Sequence, residues 1–169
     1  FSHFETNIFY RDTEKYIRYI ADQVVYGRFK NDRHVKTTGI EATYFISFAD
    51  YYSAEINTTY QEAINISRYD LEGDLHSHYQ EQVPNQPVSF ANTRLSLDWA
   101  AFDMPQVKSF WTTNYVKEFY LNWKNSGSQQ HKNIIPTQLT HDLDFEYSFD
   151  NEQLNLSLSL RNIFDRPAF

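Results

Sequence analysis

Ile135-Pro-Thr-Gln-Leu-Thr-His-Asp-Leu-Asp-Phe-Glu-Tyr-Ser-Phe149, then Asp150-Asn-Glu-Gln153, then Leu154-Asn-Leu-Ser-Leu-Ser-Leu160, is the stretch that decides the fold. One parity of the first run is Ile135, Thr137, Leu139, His141, Leu143, Phe145, Tyr147 and Phe149. The other is Pro136, Gln138, Thr140, Asp142, Asp144, Glu146 and Ser148. In the last run Leu154, Leu156, Leu158 and Leu160 alternate with Asn155, Ser157, Ser159 and Arg161. A period of two belongs to strands, because successive side chains leave opposite faces. The polar tetrapeptide between the runs makes them a β-hairpin with one apolar and one polar face.

Working outward, the same alternation recurs. Phe4, Thr6, Ile8 and Tyr10 oppose Glu5, Asn7 and Arg11. Ile40, Ala42, Tyr44, Ile46 and Phe48 oppose Glu41, Thr43 and Ser47. Ala54, Ile56, Thr58 and Tyr60 oppose Ser53, Glu55, Asn57, Thr59 and Gln61. Leu95, Leu97, Trp99 and Ala101 oppose Arg94, Ser96 and Asp98, and residues 110–120 form an aromatic-rich strand. The expectation is about seven antiparallel strands in an all-β chain. The connections alternate in length. Residues 49–52, 103–107 and 150–153 are tight, whereas 12–35, 62–88 and 117–134 are long and polar. Short turns at one end and long loops at the other describe a transmembrane β-barrel.

Composition narrows the choices. The 169 residues carry 22 Asp+Glu against 15 Lys+Arg, a formal net charge of -7, and the mean hydropathy is -0.65. There is no Lys/Arg cluster, which argues against nucleic acid. Absence of cysteine excludes disulfides, zinc–thiolate sites and thiol nucleophiles. No run of about 18 apolar residues is present for a membrane helix. Met104 is the sole methionine, so Phe1 is not a translation start and the chain reads as a piece of something longer. Aromatics reach 18%. Phe, Tyr and Trp gather at strand ends, as in the girdles at membrane–water interfaces. They are also good strand formers in soluble sheets, so alternation and aromatics together leave a soluble all-β module as the alternative.

Several motifs carry a family resemblance. Asn162-Ile163-Phe164-Asp165, within Leu158–Phe169, resembles the Asn-Leu-Phe-Asp-x-x-Tyr region of TonB-dependent outer-membrane receptors. Thr38-Gly39-Ile40-Glu41 is similar to that family's Gly-(Ile/Val)-Glu strand opening. Val83-Pro84-Asn85-Gln86-Pro87, with Phe90-Ala91-Asn92 behind it, resembles the proline-rich approach to the next strand, and Ile135-Pro136-Thr137-Gln138 the one after. Tyr120-Leu121-Asn122-Trp123 is similar to versions of the family in Bacteroidetes-type bacteria. The order and spacing of these motifs cover nearly the whole chain.

The resemblance implies a plugged barrel of about 22 strands in the bacterial outer membrane. Residues 1–169 would be a C-terminal portion of it, with the plug domain and last strand absent. It implies uptake of a scarce nutrient, with a ferric siderophore or other metal chelate ahead of cobalamin or a glycan. Energy would arrive from the TonB complex through the absent plug. Outer-membrane lipid and a surface lipoprotein complete the expected partners, with no nucleic acid, no cofactor and no catalysis. The other reading is a soluble secreted β-sheet carbohydrate-binding module.

Candidate site residues follow from the loops. In the family the long extracellular loops line a substrate vestibule, which singles out Tyr69, His76, Tyr79, Tyr120 and Trp123 for ligand stacking. The competing reading is interface aromatics and loop packing. His76, His78 and His131 make a poor chelate without a fixed third ligand, so no metal site is expected. Asp142, Asp144 and Glu146 share a strand face and could act as an acid–base set or bind Ca²⁺. The simpler reading is a wet lumen wall. No charge is expected at the centre of an apolar face, where Arg or Lys would cost about 2–4 kcal/mol at midplane.

Overall fold

The computed structural model describes residues 1–20, 28–69, 73–76, 78–121, 134–149 and 154–167. In chain order the strands are β1 (Ser2–Ile20), β2 (Arg28–Phe48), β3 (Tyr52–Asn65), β4 (Ser89–Asp98), β5 (Val107–Val116), β6 (Phe119–Tyr120), β7 (Ile134–Ile135), β8 (Gln138–Ser148) and β9 (Asn155–Leu160). Seven of them form one antiparallel sheet in the order β1-β2-β3-β4-β5-β8-β9, and β6 pairs with β7.

The register carries the two faces read from the sequence across the seven-stranded sheet. One cross-strand row is Ile46–Ala54–Leu95–Trp111–Leu143–Leu160, and a second runs through Phe48, Tyr52, Leu97, Ser109, Phe145 and Leu158. On the opposite face one row is Glu5–Thr43–Asn57–Asn92–Asn114–Thr140, polar across six strands. Pairs of this kind hold a sheet together, with Thr and Asn hydrogen bonds on one side and aliphatic contacts on the other.

The apolar face is not a core. Ile8 is 84% exposed, Phe4 63%, Leu156 62% and Leu158 57%, and Leu143 and Phe145 are half-buried. Along β3 the apolar parity Tyr52, Ile56, Thr58 and Tyr60 is exposed, whereas polar Ser53, Glu55, Asn57, Thr59 and Gln61 are sheltered. A soluble sheet does the reverse. Among the described residues the buried hydrophobic cluster consists of Val35, Ala63 and Val83, with Tyr16 packed against it, at the long-loop end of the sheet. From Tyr52 to Tyr60 the band spans roughly 26 Å along the strand at about 3.3 Å per residue. Tilt shortens this toward the ~25 Å of a lipid-facing band.

Several boundaries differ from expectation. Residues 12–35 are largely strand, since β1 continues to Ile20 and β2 begins at Arg28. Their alternation fails because a register shift falls between Thr13 and Tyr16, with Lys15 left-handed at φ 54. Such a bulge reverses parity and hides the strand from a period-two reading. β6 falls within residues 117–134 and β7 begins at their end, both too short for any periodicity. β4 begins at Ser89, and Trp99 and Ala101 lie in a 3₁₀ turn, Trp99–Phe102, rather than on the strand. Asp98 stops the strand by accepting from the Ala100 N–H at 2.9 Å. The tight turn after β2 uses left-handed Ala49 and Asp50, φ 51 and 59.

Candidate functional site

The polar face and the long-loop end make one continuous surface. Its lower part is the amide ladder. Thr43 Oγ1 donates to Asn57 Oδ1 at 2.7 Å, Asn57 Nδ2 to Glu55 Oε1 at 2.7 Å, and Asn92 Nδ2 to Asn114 Oδ1 at 2.6 Å. Below it Arg94 stacks over the Phe110 ring at 4.3 Å.

Above the ladder a pocket of about 460 Å³ is lined in part by Phe9, Arg11, Thr37, Glu41, Gln61 and Gln86. Gly39 makes room for the Phe9 ring. The Phe9 ring lies across Gly39, whose added Cβ would meet that ring and stand 2.6 Å from the Tyr60 carbonyl oxygen. A second pocket of about 260 Å³ lies over the ladder, against Asn57, Thr59, Phe90, Asn92, Asn114 and Val116. Pro87 closes its upper side. Residues 84–87 form a strap between the two pockets. Gln61 Nε2 donates to the Pro87 carbonyl at 3.2 Å, Gln82 Nε2 to the Gln86 carbonyl at 3.4 Å, and the Asn85 N–H to the Tyr120 carbonyl at 2.7 Å.

The expected stacking residues are partly gathered. Tyr69 bridges Leu75, the His76 N–H donates to the Arg68 carbonyl at 2.9 Å, and the Tyr79 N–H to the His76 carbonyl at 3.0 Å. These three residues therefore share one folded loop, with Tyr69 and Tyr79 exposed. Tyr120, on β6, joins that loop through Asn85. Trp123 and His131 lie outside the described residues. Asn65 anchors the loop, fully buried. Its Nδ2 donates to the His78 carbonyl at 2.9 Å and its Oδ1 accepts from the Ser67 N–H at 3.2 Å. Its backbone N–H and C=O pair with Glu81 and Gln80.

The His76 and His78 rings stand 5.9 Å apart, and His78 Nδ1 faces Glu81 Oε2 at 2.9 Å. No group of three metal-ligating side chains occurs among the described residues. The carboxylate row is engaged otherwise. Arg161 bridges Asp142 at 3.4 Å and Asp144 at 3.1 Å, and Ser159 Oγ donates to Asp144. His141 is on the opposite face, with its Nδ1 2.9 Å from Thr113 Oγ1 and its ring 5.2 Å from Phe164. It cannot serve as base to those carboxylates. Arg11, Glu41, Gln61, Asn92 and Asn114 escaped the sequence reading as site residues. The polar parity of Arg11, Glu41 and Gln61 was visible and Asn92 stood in a motif, but which of the five share a pocket depends on strand register.

No protein-family model and no curated protein sequence matches the chain. Solved structures do. The ferric yersiniabactin uptake receptor FyuA from Yersinia pestis matches with a TM-score of 0.69 and 19% identity, over 98% of this chain and 23% of that one. The FrpB iron transporter from Neisseria meningitidis (F3-3 variant) matches with 0.65 and 16%, over 98% and 25%. The siderophore receptor PiuA from Acinetobacter baumannii matches with 0.64 and 18%, over 97% and 22%. The chain thus spans about a quarter of the length of each, between 22% and 25%. With outward apolar rows, a polar inner wall and this superposition, the chain has the fold of a seven-stranded section of a TonB-dependent receptor β-barrel.

Proposed function

We propose that the chain is the C-terminal portion of the barrel of an outer-membrane receptor for active nutrient uptake, driven through TonB. The observation that carries this reading is the inverted sheet. An apolar face left open over seven strands is stable only against lipid or another apolar surface, and the polar face then lines an aqueous lumen. The loops holding Tyr69, His76, Tyr79, Tyr120 and Trp123 capture the cargo at the outer mouth. A plug domain elsewhere in the receptor gates the lumen and contacts TonB, and a surface lipoprotein can assist capture. The barrel is a conduit and does no chemistry.

A ferric siderophore or similar metal chelate is the favoured cargo. Solved structures resembling this chain include an uptake receptor for ferric yersiniabactin, an iron transporter and a siderophore receptor. Cobalamin or a glycan are the next candidates. Deleting the whole gene and growing the strain on defined iron-chelate, cobalamin or glycan sources tests the reading. Growth is expected to fail on one iron chelate and recover with a plasmid copy. Unchanged growth on every source would sink it.

A further inference from the structure

We propose that the smaller pocket, between the Pro84–Pro87 strap and the amide ladder, is a subsite for an uncharged hydrogen-bonding group of the transported molecule, an amide or a hydroxyl-bearing ring. This rests on the uptake reading of the polar face. Three observations carry it. First, no Asp, Glu, Lys or Arg lines this pocket, whereas Arg11 and Glu41 line the larger one above. The ladder carboxylate, Glu55, is engaged by Asn57 Nδ2 at 2.7 Å and does not line the pocket, so desolvation disfavours a charged group there. Second, the ladder is half used. Asn92 gives one N–H to Asn114 Oδ1, which leaves the Asn114 amide hydrogens and the Asn92 carbonyl oxygen without a protein partner among the described residues. An asparagine side chain offers two donors and two acceptor sites, and sheltered amides gain most from a ligand that completes them. Third, the remaining wall is apolar. Phe90 and Val116 stand beside Asn92 and Asn114 on the same strands, Pro87 adds a further apolar surface, and Thr59, 9% exposed, also lines the pocket. Apolar faces with a few convergent polar groups are the make-up of a small-molecule site.

The strap makes the two pockets neighbours. Glu41 of the upper one pairs in register with Thr59 of the lower one, and Gln86 and Pro87 face opposite sides. The ionic part of a cargo fits above and a neutral ring below. The rival occupant is another segment of the same protein lying along the lumen. A concavity of about 260 Å³ suits a compact, sugar-sized ring better than an extended backbone.

The test uses the full-length receptor in detergent micelles carrying Val116→Cys, which keeps every ladder amide. Iodoacetamide, an uncharged reagent, modifies the introduced thiol, and the site-specific rate is followed by mass spectrometry. N-acetylglucosamine, with an amide and hydroxyls and no charge, is the probe, and glucuronate is the charged comparator. Saturating N-acetylglucosamine is expected to slow alkylation by about five- to tenfold and glucuronate to leave it unchanged. Adding Asn92→Leu should weaken protection by about two- to tenfold, one hydrogen bond's worth, whereas Arg11→Gln should not. A thiol that never reacts means another segment fills the pocket and overturns the proposal. So do absent protection, equal protection by glucuronate, and protection that survives Asn92→Leu. Alkylation needs neither TonB nor transport, so unchanged growth with intact protection removes the uptake reading and leaves a neutral-ligand site whose occupant is not a transported molecule.

Discussion

The Tyr60 hydroxyl donates to Glu62 Oε1 at 2.9 Å, and on β1 the Tyr10 hydroxyl donates to Asp12 Oδ2 at 3.3 Å. Both are i, i+2 pairs on the apolar parity; Tyr60 shares an uncharged row with Ile8 and Ile40, and Tyr10 lies one row above, level with Glu62. A tyrosine ring is apolar along its body and polar at its tip, so it sits where lipid meets headgroups. Each pair therefore marks the height at which carboxylates become tolerable on the outward face. Lys36, 5.2 Å over the Tyr10 ring, stands at the same border.

This border predicts a steep position dependence along β3. Ile56→Arg places a cation mid-band and is expected to cost about 2–4 kcal/mol, against about 0–1 kcal/mol for a charge near the interface at Tyr60. Asn57→Arg, on the polar parity one residue away, meets no such penalty and should cost only its bonds to Thr43 and Glu55, about 0.5–1.5 kcal/mol. Denaturant unfolding of the full receptor in vesicles measures all three. Equal costs at 56 and 57 would refute the assignment of faces.

Gly39→Ala puts a methyl group into the Phe9 ring and against the Tyr60 carbonyl. Backbone cannot yield as a side chain does, so about 1–3 kcal/mol of destabilisation is expected. The double variant Gly39→Ala with Phe9→Ala should recover part of that loss, because it removes the ring and leaves the carbonyl contact. A double variant no more stable than the single one would show that Phe9 takes no share in the strain.

Asn65→Ala leaves the His78 carbonyl and the Ser67 N–H without their side-chain partners. Each lost partner of a sheltered group costs about 1–3 kcal/mol, and the loss should fall on the loop rather than the sheet. Amide hydrogen exchange is expected to speed up around Ser67 and Tyr79 and stay unchanged at Ile56 and Leu143. Global acceleration would mean that Asn65 holds the sheet itself.

Tyr79→Ala and Trp123→Ala are expected to weaken cargo binding by about three- to tenfold each, the loss of one aromatic stacking contact. Ser53→Ala, on the polar face at the short-turn end, should have no effect. Titration of the purified receptor with the iron chelate found by growth checks this. Full affinity in both aromatic variants would mean that these residues serve only loop packing.

How much of this was legible beforehand depends on the physics at each place. Leu154 to Leu160 alternates cleanly because its leucines all leave one face of the sheet and its polar residues the other. Lys15 and the bulge around it erased the same signal in the upper part of β1, and Asp98 ended β4 by a side-chain bond that alternation does not register. The loop holding Tyr69 and Tyr79 was singled out by its aromatics, yet Asn65, which anchors it, looks in sequence like any polar strand residue. Gly39 was noticed as part of a motif, and its reason, the ring of Phe9 from another strand, is a contact between residues distant in sequence.

The sequence by itself determined the strands, their parity and the two chemically opposite faces, because side-chain direction alternates with backbone pleat regardless of neighbours. Tertiary structure alone decided which face stays open and which polar residues meet. Asn92 and Asn114 pair, and Glu41 lies beside Thr59, through hydrogen-bond register between strands. Register is a long-range choice, set by turns, bulges and the packing of one strand on the next.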